Sequence, residues 1–311
     1  MMRYFHSVTL DEDKCKGCTN CIKHCPTEAI RVRNGKATIL DERCIDCGEC
    51  IKVCPYHAKK AVTDPLSIIE KYAYKIALPA PTLYGQYSSV FTRDRILQGL
   101  IDIGFDWVFE VSKAAEIVTD ASRQMLKSRD IKKPAISSAC PAVVRLVQVR
   151  FPNLIPNLLK IESPMEVAAK IAKQTAIQEK GIKPEDVGLF FISPCAAKVT
   201  SVKAPYEKKV SYVDGVLSIK DIHIKLLEKM KKLPPEIESN LVSSGYNGVG
   251  WARSGGESYA LGNEQYLAVH GIKNVIDVLE EIVEDRLNGV PWWSSNCSKS
   301  LYRQNKSQKA D

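Results

Sequence analysis

The run Cys15-Lys-Gly-Cys18-Thr-Asn-Cys21-Ile-Lys-His-Cys25-Pro26 returns downstream as Cys44-Ile-Asp-Cys47-Gly-Glu-Cys50-Ile-Lys-Val-Cys54-Pro55, so the spacing CxxCxxCxxxCP occurs twice within the first fifth of the chain. Three thiolates set two residues apart wrap three corners of an iron–sulfur cubane, and the fourth ligand then has to come from elsewhere. In two-cluster proteins with this spacing it comes from the other run. Cys15, Cys18, Cys21 and Cys54 are therefore assigned to one [4Fe-4S] cluster, and Cys44, Cys47, Cys50 and Cys25 to a second. Such crossing staples the two runs together and leaves little choice of fold for the segment. Structural zinc prefers tetrahedral sets made from paired CxxC knuckles, and disulfide frameworks suit short secreted chains; neither accounts for the pattern. The chemistry expected here is one-electron transfer.

The runs sit in an internal repeat: Glu28-Ala-Ile-Arg-Val-Arg33 follows the first and His57-Ala-Lys-Lys-Ala-Val62 the second. Each half reads as strand, cysteine loop with a short helix, and returning strand, and Asn34-Gly35 offers a tight turn between the halves. Residues 1–64 are expected to form an α+β ferredoxin-like module holding both clusters. From residue 65 to 289 the pattern changes. Short apolar runs at 75–79, 107–111, 134–138, 187–192 and 210–213 alternate with helical periodicity at 90–103, 112–127, 163–180 and 219–231. This alternation predicts an α/β domain with mostly parallel sheets flanked by helices. In helix 163–180 the stripe Val167, Ala168, Ile171 and Ala172 is most simply core. A last helix at 273–287 ends at Asn288-Gly289, and residues 290–311 have the polar, basic composition of a disordered or aberrant tail.

At 311 residues the chain exceeds one typical core, and its 45% hydrophobic content suffices to bury a sizeable one. The N-terminus has no apolar signal region, and no stretch approaches the roughly 20 apolar residues of a membrane span. Cluster thiolates favour a reducing compartment, so a cytoplasmic protein without a membrane span is expected. The net charge of +8 is diffuse, with no aromatic interleaving or groove-binding motif, which argues against nucleic acid as a partner. Histidines 6, 24, 57, 223 and 270 show no metal-ligand spacing and read as surface or satisfied core residues. The glycine-rich stretch 248–256 fits no phosphate-cradling motif and reads as a loop packing near a site.

Two further cysteines close strands. Cys140, in Ser137-Ser-Ala-Cys-Pro141, follows the 134–138 run, and Cys195, in Ser193-Pro-Cys-Ala-Ala-Lys198, follows the 187–192 run. Ligands gather where parallel strands end, so the matched placement marks both as site residues. With the cysteine-rich module upstream, the chain to about residue 289 resembles the [FeFe]-hydrogenase family, in which a two-cluster ferredoxin module is joined to the large-subunit catalytic domain. Ser138-Ala-Cys-Pro141 is similar to the family's Thr-Ser-Cys-Cys-Pro motif, and Pro194-Cys-Ala-Ala-Lys198 to its Pro-Cys-x-x-Lys motif. Gly104-Phe-Asp106 and Ile161-Glu-Ser-Pro-Met165 add to the likeness. The resemblance implies that Cys140 and Cys195 are two of four ligands to a hydrogenase-type cubane joined to a two-iron subsite, and that Lys198 anchors a cyanide of that subsite. The implied cofactors are two [4Fe-4S] clusters and a partial or additional [4Fe-4S]/two-iron cluster.

Three departures from the family pattern bear on activity. Ala139 stands where active members carry the cysteine that passes protons to the subsite, and Ser201 where they carry a glutamate of the same relay; alanine has no proton to give and a hydroxyl is no carboxylate base. The remaining ligands come, in the family, from a Glu-x-x-x-Cys-x-x-Gly-Cys-x-x-Gly-Gly motif beyond the last helix, whereas the tail here holds Cys297 alone. A cubane takes four thiolates; Cys140 and Cys195 supply two and Cys297 at most a third. The expected function is an iron–sulfur electron-transfer protein whose hydrogenase-like domain serves redox or hydrogen sensing, or a degenerate hydrogenase subunit, with a redox partner protein or signalling module as partner. The alternatives are an [FeFe]-hydrogenase turning over slowly by another proton route and an iron–sulfur cluster assembly factor. Oligomeric state leaves no trace in the sequence.

Overall fold

The computed structural model describes residues 5–205, 210–262, 265–287 and 291–296. Val8–Leu10 (β1), Asn20–Lys23 (α1), Ile30–Arg33 (β2), Lys36–Ile39 (β3), Glu49–Lys52 (α2) and Lys59–Ala61 (β4) make the N-terminal unit. β2 and β3 are an antiparallel hairpin whose turn, Asn34-Gly35, has φ of 50° and 72°, the doubly left-handed form that two-residue hairpins favour. β1 runs antiparallel to β4, with Val8 opposite Ala61. The sequence repeat is also a repeat of backbone shape: Gly17, Thr19 and Glu28 hold positive φ, as do Asp46, Gly48 and His57, each 29 positions later. These left-handed residues curl each cysteine loop around its own centre. Gly17 is constrained twice, because a Cβ there would also lie 2.7 Å from the Gly35 carbonyl oxygen, where the loop passes over the hairpin.

The larger unit comprises Tyr74–Pro79 (β5), Arg93–Asp102 (α3), Trp107–Val108 (β6), Val111–Met125 (α4), Ala135–Ile136 (β7), Pro141–Arg150 (α5), Pro164–Lys180 (α6), Val187–Ser193 (β8), Ala196–Lys203 (α7), Gly215–Ser218 (β9), Ile219–Lys232 (α8), Tyr246–Gly250 (α9), Gly256–Ala260 (α10), Tyr266–His270 (β10), Ile272–Val283 (α11) and Trp292–Asn296 (β11). One sheet has the order β6-β5-β8-β9, with every pairing parallel. All of β8 is buried, as expected of a parallel strand covered on both faces. Alternation sorts its side chains: Leu189 and Phe191 join Ile76 and Leu78 against α4 and α6, while Phe190 and Ile192 join Ala77 against α3 and α8. The inner stripe of α6 is alanine, at 168, 169, 172 and 176, which lets the helix lie close on the sheet.

A second sheet, β10-β11-β7, is also parallel. It corrects the boundary at residue 289 and, for residues 292–296, the expectation of a disordered or aberrant tail. Trp292–Asn296 is the central strand, paired with β10 along its length and with Ala135 and Ile136 of β7. Trp292 and Trp293, each 1% exposed, fill opposite faces: the first packs on Ala135, Leu159 and Leu261, the second on α5 and α11 through Val143, Leu146, Val275 and Leu279. The polar composition misleads because Ser294 is itself buried, sharing a 2.6 Å bond with the Ser258 hydroxyl, which also accepts from Trp292 Nε1. Residues 297–311, and with them Cys297, lie outside the described residues. The strand expected at 210–213 falls instead at Gly215–Ser218. The Glu166 carboxylate accepts from the Ser211 hydroxyl and the Tyr212 amide and holds that stretch off the ladder.

The N-terminal unit is docked on the larger one. Ser7 donates from its amide to Thr200 Oγ1 (3.1 Å) and from its hydroxyl to the Ala196 carbonyl (2.7 Å). Ile45 is buried in the core between α5 and α11, and Arg145 and Arg150 of α5 donate to the carbonyls of Glu42 and Pro26. The second cysteine run thus faces the larger unit, while Cys18 of the first is exposed. Among the described residues no helix is long and apolar enough to cross a membrane.

Candidate functional site

The eight N-terminal cysteines are free thiols and fall into two groups. Cys15, Cys18, Cys21 and Cys54 line one cavity with Leu10, Val32, Ala58 and Lys59; Cys25, Cys44, Cys47 and Cys50 line another with Val8, Ala29, Ile30 and Ile45. Each group draws three cysteines from one run and one from the other. The repeat extends to hydrogen bonds on sulfur: the Ala29 amide donates to Cys25 Sγ at 3.2 Å and the Ala58 amide to Cys54 Sγ at 3.3 Å. Burial pushes Cys47 and Cys50 up to about 12, so thiolate there calls for a cationic centre such as iron to displace the proton. Lys59, 3% exposed, has a buried Nζ with no hydrogen-bond partner among the described residues. An ammonium held between thiols fits an anionic iron–sulfur group and is hard to reconcile with an apolar core. His6 and Asp46 reach the same region: His6 Nδ1 lies 2.8 Å from Asp46 Oδ2, and the donor atoms of His6, Cys44 and Asp46 lie within 4.8 Å of one another.

A second site opens where both sheets present the C-terminal ends of their strands. A cavity of about 200 Å³ is lined by residues 80–82 after β5, Val111 after β6, residues 139–141 after β7 and residues 193–195, at and beyond the end of β8, together with Lys198, Arg253, Glu257 and Ser294. Cys140 and Cys195 share one backbone conformation (φ −99° and −100°, ψ 108° and 117°), each the last extended residue before a helix, α5 or α7. The preceding serines turn the chain alike: Ser137 and Ser193 accept at 3.2 Å from the amide two residues on, that of Ala139 or Cys195. Helix N-termini stabilise negative charge, so both thiols sit where thiolate is favoured. Lys198, in the first turn of α7, donates from Nζ to the Ala139 carbonyl at 2.9 Å. Burial holds its pKa below the usual lysine value, against the opposing pull of Cys195, Cys140, Glu166 and Glu257.

The structure therefore brings Cys140, Cys195 and Lys198 into one cavity. The described residues offer that cavity two thiols, half of what a cubane takes. Ala139 adds its carbonyl, which Lys198 meets, and a side chain that is only a methyl group. Ser201 lines a neighbouring cavity of about 420 Å³ that runs from Cys44 and Asp46 past Arg145, and its hydroxyl donates back to the Lys198 carbonyl.

Glu257 is a site residue that sequence reasoning misses. The Ser137 hydroxyl donates to its Oε1 at 2.6 Å. Burial, aided by Cys140, pushes the carboxyl up to about 7 despite the opposing effects of that bond and of Lys198. It lies one residue past the glycine-rich stretch, whose residues 251–255 form the turn between α9 and α10 and line the cavity, as the loop expected near a site would. The glycines serve close packing, since a Cβ at Gly256 would collide with the Gly250 carbonyl.

Comparison with known proteins places this geometry. A model of the iron only hydrogenase large subunit, C-terminal domain, matches residues 73–288, and a 4Fe-4S dicluster domain model matches residues 7–55. The chain is 29% identical over 212 residues to the periplasmic [Fe] hydrogenase large subunit of Nitratidesulfovibrio vulgaris, covering 62% of this chain and 50% of that protein. It is 25% identical over 331 residues to iron hydrogenase 1 of Clostridium pasteurianum, covering 91% of this chain and 57% of that one. Identity to the cytosolic Fe-S cluster assembly factor NAR1 of Yarrowia lipolytica is 28% over 151 residues, 45% of this chain and 30% of the relative. The chain thus spans about half the length, or less, of these relatives. Among solved structures, the [FeFe]-hydrogenase HydA1 from Chlamydomonas reinhardtii superposes with a TM-score of 0.54 at 15% identity, covering 73% of this chain and 77% of that one, a likeness of fold.

Proposed function

Because the chain belongs to the iron-only hydrogenase large-subunit family, we propose that this iron–sulfur protein carries electrons to a hydrogenase-type scaffold that works as a redox- or hydrogen-responsive element and not as a fast catalyst. The observation that carries the reading is the make-up of the 200 Å³ cavity: Cys140, Cys195 and Lys198 converge there, while the residue whose carbonyl the ammonium meets is alanine. Cys15, Cys18, Cys21 and Cys54 would hold one [4Fe-4S] cluster and Cys25, Cys44, Cys47 and Cys50 a second. Such clusters, when bound, supply one-electron storage. The exposed position of Cys18 suits arrival of electrons from a redox partner, and the docked second run suits their passage inward. Cys140 and Cys195 would contribute to a partial or additional hydrogenase-type cluster, with Lys198 holding an anionic group in place. Free thiols in this number suit the reducing cytoplasm, and a redox protein or signalling module is the partner the reading calls for.

Hydrogen evolution from reduced methyl viologen, measured on anaerobically matured protein beside an Ala139→Cys variant, tests this. Negligible turnover in the parent with a spectral response to hydrogen or to reduction is expected. Brisk turnover in the parent, abolished by Cys140→Ala, would overturn the sensing reading.

A slow hydrogenase is the second reading, and Glu257 favours it. A carboxyl at about 7 inside the cavity, already bonded to Ser137, can take and release protons near neutrality without the missing cysteine. Turnover in the parent that disappears in Glu257→Gln would select it. The similarity to NAR1 supports the third alternative, cluster assembly, which transfer of a labile cluster to an apo-acceptor would reveal.

A further inference from the structure

The repeat that relates the two halves of the N-terminal unit breaks at one core position. Residues 30 and 59 are equivalent, 29 positions apart. Each opens the strand after its Cys-Pro, β2 or β4, each follows an alanine whose amide donates to the preceding cysteine sulfur, and each is 3% exposed. Residue 30 is isoleucine and belongs to the apolar core of the unit. Residue 59 is lysine. Fully buried lysines are rare unless paired, because removing an ammonium from water is expensive without a compensating charge. Among the described residues Lys59 Nζ finds no hydrogen-bond partner. It lines the cavity of Cys15, Cys18, Cys21 and Cys54, and the strand it opens, β4, packs against α2, which carries Cys50 of the other group; its proximity favours the thiolate at Cys21, Cys54 and Cys50 alike. Both cysteine groups therefore face one buried cation, placed where the first half of the repeat needs only a hydrocarbon.

We propose that Lys59 is a counter-charge shared by the two clusters, a positioning residue that raises the reduction potential of both; this rests on the reading that the eight cysteines hold two [4Fe-4S] clusters. Reduction by a low-potential one-electron donor such as dithionite adds one negative charge to a cluster and its thiolates and breaks no bond. The Lys59 ammonium interacts more strongly with the more negative form and so favours reduction. Hydrogen bonds and charge at the sulfurs are the levers by which proteins set such potentials, and here one side chain reaches both sets.

The test is an EPR-monitored titration with dithionite of the full chain, reconstituted anaerobically, comparing the parent with Lys59→Ile, Lys59→Met and Lys59→Arg. Isoleucine is what the other half of the repeat carries at this place, so Lys59→Ile has a packing precedent within the molecule. Iron and sulfide bound by the parent report on the cluster reading separately; a parent without iron would end that reading and not merely this one. With iron retained, the neutral variants should show the ratio of reduced to oxidised cluster at fixed potential lowered at least tenfold at both clusters, a fall of about 59 mV for a one-electron couple, and Lys59→Arg should titrate near the parent. Neutral variants that titrate like the parent, or that move only one cluster, overturn the proposal. Iron lost from both neutral variants but kept by Lys59→Arg supports it through assembly. Iron lost from all three assigns Lys59 a role of shape, and the shared counter-charge falls.

Discussion

Replacing Glu257 with glutamine should stabilise the protein, by more as the pH rises. The carboxyl has a pKa of about 7 against an ordinary 4.5. Below pH 4.5 it is neutral in both folded and unfolded chains, and its burial carries no charge penalty. Between 4.5 and 7 the unfolded chain gives up the proton while the folded protein keeps it, so stability falls with pH, and above 7 the loss is complete. At about 1.36 kcal/mol per unit this is about 3 kcal/mol at pH 8.5 and about 1 kcal/mol at pH 5.5. Glu257 is only partly buried, so solvent screening leaves about 2 kcal/mol at the higher pH. Glutamine can accept the Ser137 hydroxyl as the carboxylate does, and carries no charge at any pH. In anaerobic thermal melts the variant should match the parent near pH 4.5 and exceed it at pH 8.5 by roughly 4–8 °C, taking about 2–4 °C per kcal/mol for a unit of this size. A variant melting at or below the parent at pH 8.5, or by the same margin at both pH values, would refute the reasoning.

Trp293→Ala should destabilise the larger unit by about 3–5 kcal/mol in urea unfolding, as truncation of a fully buried aromatic does; an unchanged midpoint would return residues 292–296 to a disordered tail. Gly17→Ala should lower the iron retained by the first cysteine run, since the new Cβ meets the Gly35 carbonyl at 2.7 Å. Gly48→Ala, at the same kind of φ but with open space around it, should carry only the backbone strain of about 1 kcal/mol. Colorimetric iron assays on the two variants separate the outcomes, and equal losses would refute the close approach. Ser137→Ala removes the donor to Glu257 and should raise that carboxyl further, shifting its titration, followed by infrared absorption of the carboxyl, to higher pH; a downward shift would contradict the assigned bond.

The α/β character of residues 65–289 is legible in the sequence because parallel strands buried on both faces must be continuously apolar, as β8 is, and because the helices covering them carry the 3.6-residue period. β5, β8, α6 and α8 fall close to where pattern alone puts them. β11 escapes because two tryptophans followed by Ser-Ser-Asn look polar; only the tertiary pairing of Ser294 with Ser258 makes that composition compatible with a central strand. At the larger cavity, the placement of Cys140 and Cys195 at strand ends is local information. Glu257 is not local, since its character comes from Ser137, 120 residues away, and from burial that no window of sequence reports. Lys59 is an intermediate case. Superposing the halves of the repeat places it opposite Ile30, but its meaning depends on the finding that its ammonium is buried and without a hydrogen-bond partner among the described residues.

The account rests on four-cysteine sets that cross between the two runs. Iron and acid-labile sulfide counts, with EPR spectra of the reduced protein, for the parent and for Cys54→Ser, Cys18→Ser and Cys47→Ser, test it most directly. About eight irons and eight sulfides per chain are predicted for two cubanes, with Cys54→Ser altering the same signal as Cys18→Ser and sparing the one altered by Cys47→Ser. Stoichiometric zinc without iron, or a Cys54→Ser spectrum that changes together with that of Cys47→Ser, would contradict it.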